Sequence, residues 1–102
     1  MGWIDAASPG DIAEGTTISI VAGSCIVAIA RSGGRFYAIE DLCTHDGEAL
    51  TGGEIEDCQI ICPRHGARFS LRTGEAMTPP AYEAVRVFET KLENGRLWVL
   101  AD

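Results

Sequence analysis

The sequence predicts an all-β protein. Three observations carry that reading. No stretch keeps a helical period of apolar residues, β-branched and aromatic residues fall in short runs, and glycine-containing turns separate the runs at close intervals. At 102 residues with 46% apolar content, the chain suits one small globular domain.

In order along the chain, Trp3 to Ala6 reads as the first strand. Ser8-Pro9-Gly10-Asp11 is a turn, and Ile12 to Glu14 adds a helical turn. Thr16 to Val21 is β-branched and extended. Ala22-Gly23 turns the chain, and Cys25 to Arg31 follows as a mostly buried strand with Ile26, Val27 and Ile29. Ser32-Gly33-Gly34 makes a hairpin turn, and Arg35 to Ile39 returns. A loop from Asp41 to about Gly53 follows, closed by Leu50-Thr51-Gly52-Gly53. Glu54 to Asp57 and Gln59 to Cys62 read as short strands, then Cys62 to Gly66 as a second loop. Arg68 to Leu71 is a strand, and Thr73-Gly74 a turn. Met77-Thr78-Pro79-Pro80-Ala81 cannot form a central strand, because proline lacks an N–H. Val85 to Glu93 and Arg96 to Leu100 close the chain as a hairpin across Asn94-Gly95. No internal repeat or linker is visible.

The formal charge is −7, from fifteen acidic and eight basic residues. That balance disfavours nucleic acid and anionic membrane, and favours a partner with a basic patch. The N-terminus shows no basic region followed by an apolar core. The longest weakly polar run, Ile18 to Ala30, is shorter than the ~20 residues of a membrane helix. A soluble, cytoplasmic protein is expected.

Both histidines and two of the four cysteines fall in two stretches, Cys43-Thr44-His45 and Cys62-Pro63-Arg64-His65, with sixteen residues between His45 and Cys62. Each stretch offers one thiolate and one imidazole. Brought together they supply the two sulfur and two nitrogen ligands of a Rieske-type 2Fe-2S cluster. Two ferric ions, two sulfides and two thiolates sum to zero charge. A neutral core accepts an electron more easily than a four-cysteine one, so histidine ligation raises the potential. The competing metal is zinc, although structural zinc motifs usually pair like ligands within each half. A Cys-His catalytic pair would leave the repetition unexplained. Cys25, in an apolar run, reads as a small buried hydrophobe, and Cys58 lies at a turn. Gly47, Gly66 and Gly53 are candidates for close backbone approach to the cluster.

The stretches Cys43-Thr44-His45-Asp46-Gly47 and Cys62-Pro63-Arg64-His65-Gly66-Ala67-Arg68-Phe69 resemble those of Rieske-type ferredoxins of bacterial ring-hydroxylating dioxygenase systems. The likeness continues through Arg72-Thr73-Gly74-Glu75, Pro79-Pro80 and Asn94-Gly95. It implies a Rieske fold, with a small antiparallel β-sandwich or barrel base at 1–39 and 83–102 and an inserted cluster-binding subdomain at about 40–82. It also implies a third loop, with Pro79 and Pro80, over the cluster. Membrane-complex Rieske proteins carry an inter-loop disulfide at the positions of Glu48 and Arg64, and hydroxyl donors at those of Ala67 and Phe69. Hydrogen bonds to sulfur favour the reduced cluster, so their absence implies the low end of the Rieske range, about −150 mV, nearly flat with pH around neutrality.

The resemblance implies an electron carrier rather than an enzyme. It would run between a flavin-dependent ferredoxin reductase and a terminal oxygenase of aromatic hydrocarbon catabolism. The ligands would be Cys43, His45, Cys62 and His65. Asp46, Glu48, Glu54 and Glu56 are candidates for an acidic rim, with Arg64 close to the cluster. The other readings are a Rieske-like small subunit of a redox enzyme such as nitrite reductase, and a zinc-stabilised interaction module.

Overall fold

The computed structural model describes residues 2–79 and 81–101; Met1, Pro80 and Asp102 lie outside the described residues. Among the described residues, ten strands form three antiparallel sheets. They are β1 (Gly2–Ala7), β2 (Thr17–Ala22), β3 (Cys25–Ser32), β4 (Arg35–Glu40), β5 (Ile55–Glu56), β6 (Gln59–Ile61), β7 (Arg68–Ser70), β8 (Val87–Phe88), β9 (Thr90–Glu93) and β10 (Arg96–Ala101). The sheet orders are β1-β10-β9, β2-β3-β4-β8 and β5-β6-β7. The helical turn expected at 12–14 instead forms one step earlier, as a 3-10 turn at Pro9–Asp11. Proline suits its first position, where no N–H is needed. No helix of the described residues is long and apolar enough to cross a membrane.

The four-stranded sheet is the middle layer, and β3 shows why. Its alternate residues face opposite ways. Val27 and Ile29 pack with Ile12, Phe88, Leu97 and Val99 on the side of the β1-β10-β9 sheet. Ala28 and Ala30 pack on the other side with Leu50, Ile60, Phe69, Leu71 and both Cys43 and Cys62. A strand covered on both faces reads as a continuous apolar run. The run is not buried throughout, however: Ile26 and its cross-strand partner Val21 are 57% and 74% exposed at the end of the sheet.

The strand expected over 85–93 is two strands in two sheets. Val87 and Phe88 extend the middle sheet beside β4, while Thr90–Glu93 pairs with β10. Glu89 is the corner, and its carbonyl accepts from Leu100 N–H at 3.0 Å. The Asn94-Gly95 turn has φ of 53° and 74°, the positive pair that a two-residue hairpin of this twist requires.

Sheet β5-β6-β7 is built wholly from chain lying between β4 and β8. Its turn at Asp57-Cys58 holds both residues at positive φ, 52° and 58°. Leu71 N–H closes on Cys58 carbonyl at 3.0 Å. Cys58 is half-buried, and so is Cys25, whose Sγ lies 3.7 Å from Arg86 Nη1 rather than wholly inside the core.

Candidate metal centre

Each expected ligand stretch folds into a six-residue hairpin, and the two hairpins match. In the first, Cys43 N–H donates to Glu48 carbonyl at 2.7 Å and Gly47 N–H donates back to Cys43 carbonyl at 2.8 Å. In the second, Cys62 N–H donates to Ala67 carbonyl at 2.7 Å and Gly66 N–H to Cys62 carbonyl at 3.0 Å. Gly47 and Gly66 both take φ of 76°, and a Cβ there would meet no atom within 4 Å. These glycines therefore serve the positive φ of the turn rather than close approach to protein atoms. Gly53 does mark close approach, but to backbone: a Cβ there would lie 2.2 Å from Ile61 carbonyl oxygen. The likeness of the two hairpins is one of backbone closure: in sequence they share cysteine at the first position and glycine at the fifth, while histidine stands two residues after cysteine in one and three after it in the other.

That offset sorts the four tip residues into two cross-hairpin pairs. His45 meets His65, with ring centroids 5.0 Å apart and planes at 89°. Asp46 meets Arg64, whose Nε and Nη2 donate to Oδ2 and Oδ1 at 2.6 and 3.1 Å. Below the tip, Cys43 and Cys62 are side by side and essentially inaccessible. Ligand atoms of Cys43, Cys62 and Asp46 lie within 4.8 Å of one another, as do those of His45, His65 and Asp46. Asp46 Oδ2 is 3.6 Å from His65 Nδ1.

Three supports hold this arrangement. Asp41 anchors the first loop at its base: Oδ1 accepts from Leu50 and Thr51 N–H at 2.7 and 2.8 Å, and Oδ2 from Thr51 Oγ1 at 2.6 Å and Ser19 Oγ at 2.9 Å. The loop that should cover the centre packs on the first hairpin, where Thr44 Oγ1 donates to Glu83 carbonyl at 2.6 Å. Ala81 is buried in the core that holds both cysteines; Pro79 is exposed, and Pro80 lies outside the described residues. Ala67, the last residue of the second hairpin, and Phe69 just beyond it are fully buried.

The electrostatics follow from these contacts. Burial pushes the Cys43 thiol up, against N–H groups of His45 and Asp46 that lower it. Metal binding must therefore displace a proton there. The Arg64 guanidinium holds the Asp46 carboxyl well below the usual carboxylate range, aided by Glu48 N–H. Asp46 in turn raises Arg64. Burial works to raise Asp41, but hydrogen bonds from Thr51, Ser19 and Leu50 outweigh it and the net shift is downward. The acidic rim is thinner than expected, because Arg64 neutralises Asp46 and Arg68 pairs with Glu56 at 3.3 Å, leaving Glu48 and Glu54 exposed. Asp41 and the Asp46–Arg64 pair are roles that sequence reasoning missed. A signal existed for Asp41: a carboxylate opening a long loop that ends in Thr and Gly.

Two thiols under two imidazoles, drawn equally from two hairpins, fit a binuclear iron–sulfur centre of mixed ligation, because the soft and the nitrogen donors are segregated. The sequence profile of the Rieske [2Fe-2S] domain family matches residues 2–89. The ferredoxin component of the naphthalene 1,2-dioxygenase/salicylate 5-hydroxylase systems of Ralstonia sp. is 35% identical over 95 residues, covering 93% of this chain and 91% of its own. A chain in the solved complex of reduced oxygenase and oxidised ferredoxin in carbazole 1,9a-dioxygenase superposes with a TM-score of 0.88 at 33% identity, over 95% of this chain and 91% of that one. The ferredoxin of carbazole 1,9a-dioxygenase from Nocardioides aromaticivorans IC177 gives a TM-score of 0.94 at 25% identity, with both chains fully covered.

The chain belongs to the Rieske [2Fe-2S] domain family, and its cofactor is one Rieske-type cluster. Within that family it is an electron-transfer ferredoxin rather than a catalytic enzyme.

Because Asp41 is lowered in the folded protein, its contribution to stability is full above its unfolded value near 4 and fades as pH falls through the lower folded value. Asp41→Asn should remove that part of the acid sensitivity. It should also accelerate hydrogen exchange of the Leu50 and Thr51 amides at neutral pH by about tenfold or more, from the loss of charge-assisted bonds worth roughly 1.5–3 kcal/mol. Unchanged exchange at both amides contradicts the anchoring role.

Proposed function

We propose that Cys43, His45, Cys62 and His65 hold the cluster. We propose further that the protein carries single electrons in the cytoplasm, from a flavin-dependent ferredoxin reductase to a terminal oxygenase. The carrying observation is the layering of the site: Cys43 and Cys62 are closed off, whereas His45 and His65 are exposed, His65 by 55% of its side chain. When bound, the cluster supplies reversible one-electron chemistry. Cys43 and Cys62 keep one side of the site dry. His45 and His65 each have two ring nitrogens, one to bind and one to face a partner. Support for the oxygenase as partner comes from the similarity to relatives named as ferredoxin components of dioxygenase systems. The division into a base at 1–39 and 83–102 and a cluster-binding part at about 40–82 is supported by sheet β5-β6-β7, whose strands all lie between 55 and 70 among the described residues.

With Glu48 and Glu54 as the acids of the expected rim that form no ion pair among the described residues, and −7 overall, steering toward a basic partner is modest. In stopped-flow mixing of the reduced protein with the oxidised naphthalene dioxygenase oxygenase component, electron transfer should be single-exponential. Its second-order rate should fall a few-fold between low and high salt. No transfer contradicts the carrier reading; a salt-independent rate contradicts steering alone.

Ala67 and Phe69 offer no side-chain donor beside the second hairpin. Ala67→Ser and Phe69→Tyr should each raise the midpoint potential, by about 60 mV if one hydrogen bond favours the reduced form by roughly 1.4 kcal/mol. Film voltammetry reads this directly. An unchanged or lower potential in both variants contradicts the assignment of these positions.

A further inference from the structure

The two hairpins are closed at their bases by their own backbone bonds, Cys43 to Glu48 and Cys62 to Ala67. Those bonds hold each hairpin to itself and not to the other. Near their tips the hairpins are joined by charge-assisted hydrogen bonds from Arg64 to Asp46, at 2.6 and 3.1 Å. They form the planar fork-to-carboxylate pair that fixes orientation as well as distance. The Asp46 side chain is 16% exposed and that of Arg64 33%, so the pair is less open to solvent than the Arg68–Glu56, Lys91–Glu93 and Arg96–Asp5 pairs. It occupies the two tip positions that the histidines leave free, at the complementary offsets of two and three residues after cysteine.

We propose that Asp46 and Arg64 form an ionic clamp that keeps the two hairpins at cluster-holding distance, and that they are positioning residues for His45 and His65. The inference rests on the assignment of the four ligands. The pair is neutral as a unit, so it ties the hairpins together while adding no net charge beside the centre. Removing either member does two separable things. It frees the hairpin tips, and it leaves one uncompensated charge of known sign. A leftover cation favours the reduced, more negative state, and a leftover anion disfavours it.

The test uses the cluster-loaded protein and follows loss of visible absorbance in the presence of an iron chelator. Asp46→Asn and Arg64→Gln should each lose the cluster about fivefold faster than the parent. The double variant should be no faster than either single one, and the reversed pair Asp46→Arg/Arg64→Asp should recover most of the lifetime. Parent lifetime should shorten when salt rises from about 0.05 M to about 1 M, while the single variants stay flat. Midpoint potentials should move in opposite directions, up in Asp46→Asn and down in Arg64→Gln; a purely structural lesion would not split the sign. Parent-like lifetimes in both single variants, additive losses in the double variant, or potentials shifting the same way would overturn the clamp. A parent protein with no mixed-ligand 2Fe-2S spectrum at all would instead overturn the ligand assignment beneath it.

Discussion

The rest of the structure depends on a pair of backbone closures repeated twice. A cysteine N–H reaches the carbonyl five residues on, and a glycine N–H four residues on reaches back to the cysteine carbonyl. Each closure satisfies the polar backbone around a thiol that is itself out of solvent, and a buried unpaired N–H would cost a few kcal/mol. It also projects two side chains at the tip. Because the same device is built twice and the two copies face each other, two thiols meet inside and four tip residues meet outside. Those four sort into a pair of imidazoles and a pair of opposite charges.

The fold exists to present those two hairpins on a stiff support. The middle sheet is buried on both faces, one against β10 and one against the part that carries β5-β6-β7 and the two hairpins. Alanine at positions 28 and 30 lets that second part sit close, and Cys43 and Cys62 belong to the same packed cluster as Leu50, Ile60 and Phe69. The thiols are thus core residues as well as ligand candidates. Movement of either hairpin base would open voids in a close-packed interior, so packing restrains the site before any metal does. Asp41 completes the restraint by tying the start of the first loop to its end and to β2.

Most of the strand pattern was legible because it is written in local chemistry. β-branched runs, the Gly33-Gly34 and Asn94-Gly95 turns, and the proline block at 79–80 each act within a few residues. The failures are non-local. Val87–Phe88 and Thr90–Glu93 look like one strand, since nothing local marks Glu89 as a corner between sheets. Ile26 looks like core because its neighbours are, yet it lies beyond the edge of the covering layer. The two Cys/His stretches could be read from residue type and order, whereas the equivalence of the two hairpins could not. The one-residue difference in histidine offset breaks the repeat in sequence and only makes sense once the hairpins face each other. Asp46 read as part of an acidic rim, because its partner Arg64 is eighteen residues away and arrives through the fold.

Two thiolates and two imidazoles from these hairpins are proposed to share a single binuclear centre. Its most direct test is the electron paramagnetic resonance of the dithionite-reduced protein with nitrogen hyperfine resolution, together with iron and acid-labile sulfide counts. Two irons and two sulfides per chain are expected, with coupling to two histidine nitrogens on one iron. Both couplings should vanish from a protein in which His45 and His65 are replaced. A signal without nitrogen coupling, or a colourless protein holding zinc in place of iron, would contradict it.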